Sequence, residues 1–343
     1  MNLIEITRDA IESVDKKKNE ERNKDAFYVS DAGRCRRQMY YSLEFKRPLE
    51  LNSAEAILRM DAGKRIEESL IDMWDKAGML VDEQVRVEHK LADGHELHGY
   101  ADAIVKIGDD DVLVEVKSFY GYYQLKELRE GRPNENYVYQ LALYMHFLGH
   151  DHGKLFYVDR SDMSMFEFNV YLDNGKIGYM TTKGIVSPQE YVNVEDLLAD
   201  MRFVSNELMS GGDAVPEPDY EYKYDIVRFA EEVKGMSKTN LDKEVKKFRP
   251  IDQIKVKDEQ GKNRIKYVYN GEIYPKKDHA IDAFNNDVKN GILPQIDSVC
   301  GNYQCKYCDY KSHCLESRGI SLGYTIDEFK DRLYVLLVAK GEK

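Results

Sequence analysis

Apolar residues recur at helical spacing between residues 56 and 77, which predicts an amphipathic helix there. One face carries, at steps of three or four, Gly63, Glu67, Leu70, Ile71 and Trp74. Glu68 falls instead on the polar face, in line with Lys64. Burying an acid on an apolar face is costly unless something pairs with it. Glu67 is therefore either a functional carboxylate or a helix-edge residue whose carboxylate reaches water.

The pattern downstream predicts three strands, a second helix and two further strands. The three strands are expected at residues 83–91, 96–107 and 111–120, with the acidic run Asp109–Asp111 forming the turn between the last two. The helix is expected at 134–149, with Asn134 as its N-cap and Gly149 at its end. Strands at 154–160 and 165–172 follow. This order of elements predicts a compact α/β fold.

The later part of the chain changes in character. Helical periodicity covers residues 188–212, and a last helix is expected at 279–294. Between them, residues 234–277 hold thirteen Lys or Arg against six Asp or Glu, a local balance of +7. This basic stretch contains a predicted meander with a tight turn at Asn270–Gly271. Two interpretations stay open: contact with a DNA backbone through residues such as Lys246, Lys247 and Arg249, or a solvated meander without a partner.

Composition limits the class of protein. The 343 residues carry a net charge of −12, which argues against indiscriminate coating of nucleic acid but leaves room for a local basic groove. Hydrophobic residues make up 42%, enough for a substantial core, and no apolar run approaches the length of a membrane span. The first 24 residues are charged and lack the apolar stretch of a secretory signal. We therefore expect a cytoplasmic protein.

Four of the five cysteines lie within residues 299–314, whereas Cys35 lies near the other end of the chain. In a reducing compartment such a cluster is more often a metal site than a set of disulfides. Spacing alone favours zinc held by Cys300, Cys305, Cys308 and Cys314, with His313 as a further ligand candidate. Cys35, flanked by Arg34, Arg36 and Arg37, is the other candidate for a fourth ligand, since positive charge favours a thiolate. It could equally be an ordinary buried thiol.

Two carboxylates and a lysine form a second candidate site. Glu115 and Lys117 are two apart on a predicted strand, so their side chains share one face, opposite Val114 and Val116. Asp102, on the preceding strand, lies beside them if the hairpin pairs in register. Oxygen ligands of this kind suit a hard divalent cation, which would polarise a phosphodiester and activate water. Glu-Val-Lys on a strand is, however, more often a solvated surface.

The order of these motifs resembles the PD-(D/E)XK nuclease superfamily, in its RecB-like branch with an iron–sulfur cluster. The motifs are Gly63-x3-Glu67, Asp102, Glu115-x-Lys117, Gln140-x3-Tyr144 and the cysteine run after Asn290-Gly-Ile-Leu-Pro294. The resemblance covers roughly residues 30–172 and 280–316, and Ala101 stands where the family name has proline. It implies a restriction-endonuclease-like core, a central mixed sheet flanked by helices, with a C-terminal iron–sulfur segment and a basic insertion.

The resemblance also assigns roles to residues. The family's Mg²⁺ or Mn²⁺ ligands match Glu67, Asp102, Glu115 and the carbonyl of Val116, with Asp102, Glu115 and Lys117 as the catalytic set. Glu67 stands where the family often has histidine. The substrate-binding motif matches Gln140 and Tyr144. The ligands of a [4Fe–4S] cluster match Cys35, Cys305, Cys308 and Cys314, which leaves Cys300 spare.

The expected function is metal-dependent hydrolysis of DNA, as an exonuclease acting on single-stranded DNA or ends. Recombination, repair, phage DNA processing and CRISPR adaptation are the settings that the resemblance implies, with a helicase, a recombination protein or an adaptation protein as partner. A nucleic-acid-binding or scaffolding subunit that retains the fold without cleaving is the alternative. Four segments are expected: an N-terminal part (1–55), the nuclease core (56–190), a helical region with the basic insertion (191–279) and the iron–sulfur segment (280–343).

The cysteine assignment can be tested by colour. Protein purified without oxygen should be brown and absorb broadly in the visible range, because iron–sulfur clusters do so. Cys35→Ser should bleach the protein, while Cys300→Ser should leave it coloured. The opposite pattern would show that the ligand assignment is wrong, and colourless protein with stoichiometric zinc would remove the cluster altogether.

Overall fold

The computed structural model describes residues 2–21, 24–91, 94–181, 183–211, 215–219, 226–294, 303–319 and 324–342. The chain divides into two compact units. The first comprises Met1–Asp219 with Cys308–Tyr310, and the second comprises Tyr220–Tyr307 with Lys311–Lys343. The four segments expected from sequence character stay a prediction. No helix in the described part of the chain is long and apolar enough to cross a bilayer.

The first unit contains six helices and eight strands within the residues that the structure describes. The helices are α1 (Leu3–Glu20), α2 (Arg36–Glu44), α3 (Ala54–Lys76), α4 (Tyr122–Arg129), α5 (Glu135–Leu148) and α6 (Val194–Met209). The strands are β1 (Phe27–Tyr28), β2 (Leu80–Lys90), β3 (Glu96–Ile107), β4 (Asp110–Phe119), β5 (His152–Asp159), β6 (Met165–Asp173), β7 (Lys176–Thr181) and β8 (Gly184–Val186).

These strands form one mixed sheet. The order is β1-β3-β4-β5-β6-β7-β8, with β2 also paired to β3. Two pairs, β1 with β3 and β4 with β5, are parallel, and the remaining pairs are antiparallel. The α/β fold expected from the sequence, with a central mixed sheet flanked by helices, is therefore confirmed.

Strand β3 changes partner part of the way along one edge. Its residues Ala103–Ile107 pair with β4, while Leu97 and His98 pair with β1. Residues 99–102 pair with neither of them, so the sheet forks at this point. Asp102 lies in the fork.

Helices α3 and α5 cover the strands beside the fork. Ile71 of α3 packs in one cluster with Val114 and Val116 of β4, which explains the apolar stripe on this helix. Helix α5 is buried along most of its length, from Val138 to Met145. A Cβ on Gly99 would lie 2.7 Å from the ring of Tyr144, so glycine is what allows α5 to approach β3 this closely.

The predicted boundaries of α5 are confirmed. Asn134 caps the helix by accepting a hydrogen bond from the N–H of Asn136 at 3.0 Å, and Gly149 ends it in the left-handed conformation. The predicted acidic turn is wrong in its position. Ile107 pairs with Asp110, so the turn consists of Gly108 and Asp109, because Gly108 supplies the positive φ (67°) that a two-residue hairpin needs.

The second unit contains the predicted meander. Its elements are α7 (Ile226–Lys234), α8 (Lys238–Phe248), β9 (Asp252–Lys257), β10 (Asn263–Tyr269), β11 (Glu272–Tyr274), α9 (Lys277–Lys289), α10 (Tyr303–Lys306), α11 (Lys311–Glu316) and α12 (Ile326–Lys340). Asn270 and Gly271 both have positive φ, as the predicted turn requires. The unit has its own core, in which Phe248, Phe284 and Phe329 pack together.

The three basic residues singled out in the meander region are ion-paired in this unit. Lys246 contacts Asp252 at 2.7 Å, Lys247 contacts Glu244, and Arg249 contacts Glu342. Arg249 is also 9% exposed. Internal acids thus offset the charge that these residues would offer to a phosphate. Lys255, Lys257 and Lys262 are among the cations of this stretch that form no ion pair with a described residue.

Candidate active site

The fork in the sheet places Asp102 against the main chain of β4. The N–H of Val116 donates to Asp102 Oδ2 at 2.7 Å. The Asp102 carboxylate thus accepts from a main-chain N–H of β4 that faces the gap between β3 and β4. This hydrogen bond holds Asp102 next to the Glu115–Lys117 segment. The Asp102 side chain is buried, with 7% of the residue exposed.

Glu115 is the most buried charged group of the site, at 1% exposed. Its Oε1 accepts hydrogen bonds from Lys117 Nζ and, at 2.7 Å, from Gln140 Nε2 of α5. Its other carboxylate oxygen, Oε2, is buried and has no hydrogen-bond partner among the described residues. Buried polar atoms in proteins are almost always satisfied. This oxygen is therefore the atom of the site that is most open to a further partner.

Glu67, on α3, faces the same site. Its pKa is raised by burial and by the negative charge of Asp102, and lowered in part by Lys117, so these side chains act on one another electrostatically. Gly63, one turn before Glu67, lets α3 approach β4, since a Cβ there would lie 2.9 Å from Ser118 Oγ. Glu68 lies on the exposed face and contacts Lys64 at 3.8 Å.

The site combines mutually repelling carboxylates with one ammonium. Burial raises the pKa of Glu115 to about 8, with Lys117 opposing the rise and the charges of Asp102 and Glu67 adding to it. Burial also raises the pKa of Asp102, again opposed by Lys117. Burial alone would lower the pKa of Lys117, but Glu115 and Asp102 outweigh this effect, so the pKa is raised and the ammonium stays charged.

The Gln140-x3-Tyr144 motif of α5 supports this arrangement from the helix side of the sheet. Gln140 donates a hydrogen bond to Glu115, so it fixes one face of the buried carboxylate. Burial and the charge of Glu115 raise the pKa of Tyr144, which keeps its hydroxyl protonated. Tyr137, one turn before Gln140, lies under Lys117, whose Nζ is 5.1 Å from the centroid of the tyrosine ring.

The chemistry of these side chains fits a divalent cation. Three carboxylates supply hard oxygen donors, and the unpartnered Oε2 of Glu115 is a free donor atom within the set. A cation would also relieve the repulsion that raises the pKa values of Asp102, Glu115 and Glu67. Among the described residues, however, no three His, Cys, Asp or Glu side chains are drawn together closely enough to form a ready-made metal site.

The cysteines are distributed over both units. Cys35 is buried at the start of α2, and burial raises the pKa of its thiol. Cys308, half-buried, also belongs to the first unit, while Cys305 and Cys314 lie in α10 and α11 of the second. Cys300 lies outside the described residues. The iron–sulfur assignment stays a prediction.

The arginines beside Cys35 are engaged in contacts of their own. Arg36 pairs with Asp219 at 2.6 Å, and Arg34 approaches Asp31 at 3.7 Å. The Nε of Arg37 donates to the Tyr41 hydroxyl at 3.1 Å. The positive charge expected to favour a thiolate at Cys35 is thus partly offset by carboxylates in the first unit.

Several residues near the site were not found from the sequence. Tyr137 lies three residues before Gln140. Nothing in the sequence around a helical tyrosine indicates that a lysine from another element will lie over its ring. Gln84 of β2 donates from Nε2 to Glu67 Oε1 at 3.1 Å, a contact that depends on how α3 packs on the sheet. Tyr120, Tyr122 and Tyr123 are 69–79% exposed directly after β4, and this run of aromatic residues was the one available sequence signal.

Comparison with known proteins gives only distant likeness. No family model matches the chain, and no curated protein matches it. A solved structure described as SSO0001 is similar over 68% of this chain and 93% of its own, at 17% identity and a TM-score of 0.37.

An alkaline exonuclease, LHK-Exo from Laribacter hongkongensis, is similar over 45% of this chain and 68% of its own, at 16% identity and a TM-score of 0.29. The same exonuclease in complex with dAMP covers 55% of this chain and 88% of its own, at 15% identity and a TM-score of 0.35. Likeness of this degree is too low to carry an argument about activity.

The raised pKa of Glu115 predicts how stability changes with pH in metal-free protein. An unfolded glutamate has a pKa of about 4.3, so between about pH 5 and 8 the folded chain binds a proton that the unfolded chain has lost. The free energy of unfolding should therefore fall as pH rises through this range.

Glu115→Gln removes the titrating group and should flatten the slope of this free energy against pH, measured by urea denaturation with EDTA present. Glu68→Gln, on the exposed face, is the control and should leave the slope as in wild type. Equal slopes for wild type and Glu115→Gln would contradict the buried, proton-binding state of Glu115.

Proposed function

We propose that this protein is a metal-dependent DNA nuclease, acting as an exonuclease on single-stranded DNA or ends. The observation that carries the proposal is the buried Glu115 carboxylate, which has one oxygen without a partner and lies beside Asp102 and a charged lysine. The order of the motifs in the sequence, which resembles that of the RecB-like nucleases, supports DNA as the substrate.

The carboxylates of Glu67, Asp102 and Glu115, with the carbonyl of Val116, would hold Mg²⁺ or Mn²⁺. A bound ion of this kind polarises a phosphodiester and lowers the pKa of water, so that hydroxide is available for attack. The cation of Lys117 stays charged because of its carboxylate neighbours, and it can stabilise the negative charge that develops on the phosphate. Gln140 holds Glu115 in place, and the Val116 N–H holds Asp102.

Three exposed tyrosines favour a single strand as substrate. Tyr120 follows Lys117 by three residues, which limits their Cα separation to about 11 Å. The side chains of Tyr120, Tyr122 and Tyr123 are exposed, and they make no ring contact or hydrogen bond with a described residue. Unpaired bases stack on such side chains regardless of sequence, whereas bases in a duplex already stack on one another.

Cleavage by site variants tests the catalytic assignment. Asp102→Ala removes a ligand and should abolish cleavage of end-labelled DNA in Mg²⁺ or Mn²⁺. Lys117→Ala leaves the carboxylates in place, so it should keep metal binding while the rate falls about 100-fold or more. Lys106→Ala is the matched control, since this lysine lies on the same hairpin, is 52% exposed and contacts Asp111.

Three outcomes would contradict the assignment. Full activity in Asp102→Ala would remove this residue from the site. An equal loss in Lys106→Ala would point to damage to the hairpin. Metal-independent binding of DNA without cleavage by the wild type would favour the alternative, a nucleic-acid-binding subunit that retains the fold.

The tyrosine segment can be tested by DNA binding. Stacking contributes about 1–3 kcal/mol per base, so replacing Tyr122 and Tyr123 together by alanine should weaken binding of a single-stranded oligonucleotide about 10-fold or more. Binding of a blunt duplex should change much less. Tyr334→Ala, an exposed tyrosine of α12, is the control in the same fluorescence anisotropy assay. Equal affinity of wild type and double variant for the single strand would exclude a stacking role.

A further inference from the structure

One residue of β2 has a backbone conformation that its strand does not explain. Gln84 has a φ of 49°, in the left-handed region that residues with side chains rarely adopt. The other described non-glycine residues with positive φ lie outside helices and strands: Lys46, Met163, Asn174 and Asn270. Gln84 instead lies inside a strand that continues on both sides of it. No turn requires the strain here.

The register places this residue next to the proposed site. Glu83 pairs with Ala103 and Val85 pairs with Ala101, so Gln84 lies opposite Asp102. The two strands of this pair are therefore irregular at the one position where β3 carries the catalytic aspartate. Strained backbone at such a position is commonly maintained because it serves the site.

The side chain of Gln84 shows what the conformation achieves. Its Nε2 donates to Glu67 Oε1 at 3.1 Å, which links the sheet to helix α3. Glu67 is half-buried and is repelled by Asp102, while the Gln84 amide opposes the resulting rise in its pKa. No other side chain of a described residue is hydrogen-bonded to the Glu67 carboxylate.

We propose that Gln84 is a positioning residue of this site, which holds the Glu67 carboxylate towards Asp102 and Lys117 in readiness for the cation. The inference rests on the proposed function, because it assigns Glu67 to the metal site. Removing a partner that orients a metal ligand in this way typically weakens metal affinity about 10- to 100-fold. The left-handed backbone of Gln84 is the cost of bringing its amide to that position.

The variant Gln84→Gly separates positioning from support of the fold. Glycine accepts a positive φ without strain, so the thermal midpoint in EDTA should hold or rise. The amide is lost, so affinity for Mn²⁺, measured by calorimetry, should fall about 10-fold. Met163→Gly is the matched control, because it relieves the same kind of strain at an exposed position between β5 and β6. It should leave Mn²⁺ affinity unchanged.

A role in folding alone would lower the midpoint of Gln84→Gly, and unchanged Mn²⁺ affinity in that variant would overturn the proposal. A second readout does not need the metal. The carbon-13 carboxyl resonance of Glu67, assigned with Glu67→Gln, should move or broaden in metal-free Gln84→Gly and stay in place in Met163→Gly. If the wild type binds no Mn²⁺, the proposed function fails, and this resonance alone decides whether Gln84 positions Glu67.

Discussion

The burial of Glu115 is the constraint on which the rest of the site depends. A carboxylate withdrawn from water costs several kcal/mol unless charges and hydrogen bonds compensate it. Lys117 and Gln140 satisfy one oxygen, and Asp102 and Glu67 add negative charge nearby. Under the proposed function, a bound cation would offset this negative charge. Elements from four parts of the chain, α3, β3, β4 and α5, converge on this group, and the fork in the sheet makes the space for it.

The local elements of the first unit could be predicted because they follow from periodicity and capping. The apolar stripe of α3 and the Asn134 and Gly149 ends of α5 are properties of neighbouring residues in the sequence, and the structure has them where they were expected. The placement of Glu67 on the inner face of α3, with Glu68 on the outer face, follows from the same periodicity. Gly108, rather than the acidic run, sets the hairpin turn because a positive φ is a stronger requirement than polarity.

Long-range features could not be predicted from the sequence. The fork exists because a two-residue strand, Phe27–Tyr28, pairs with the first half of β3. So short a strand has no alternation of apolar and polar residues by which it could be predicted. The strain at Gln84 depends on the register between β2 and β3. The ion pairs of Lys246 and Arg249 depend on where Asp252 and Glu342 fold, so composition alone could not show which cations of that stretch are paired.

The central claim is that the Glu115 carboxylate binds a divalent cation. Calorimetric titration of Mn²⁺ into metal-free protein tests this claim most directly. The account predicts one ion per chain near neutral pH, with release of protons that appears as a dependence of the measured heat on the buffer, because the carboxylates of the site hold protons more tightly than usual. It also predicts that Glu115→Gln loses this binding while Glu68→Gln retains it. Equal Mn²⁺ binding in wild type and Glu115→Gln, or no binding by the wild type, would contradict the account.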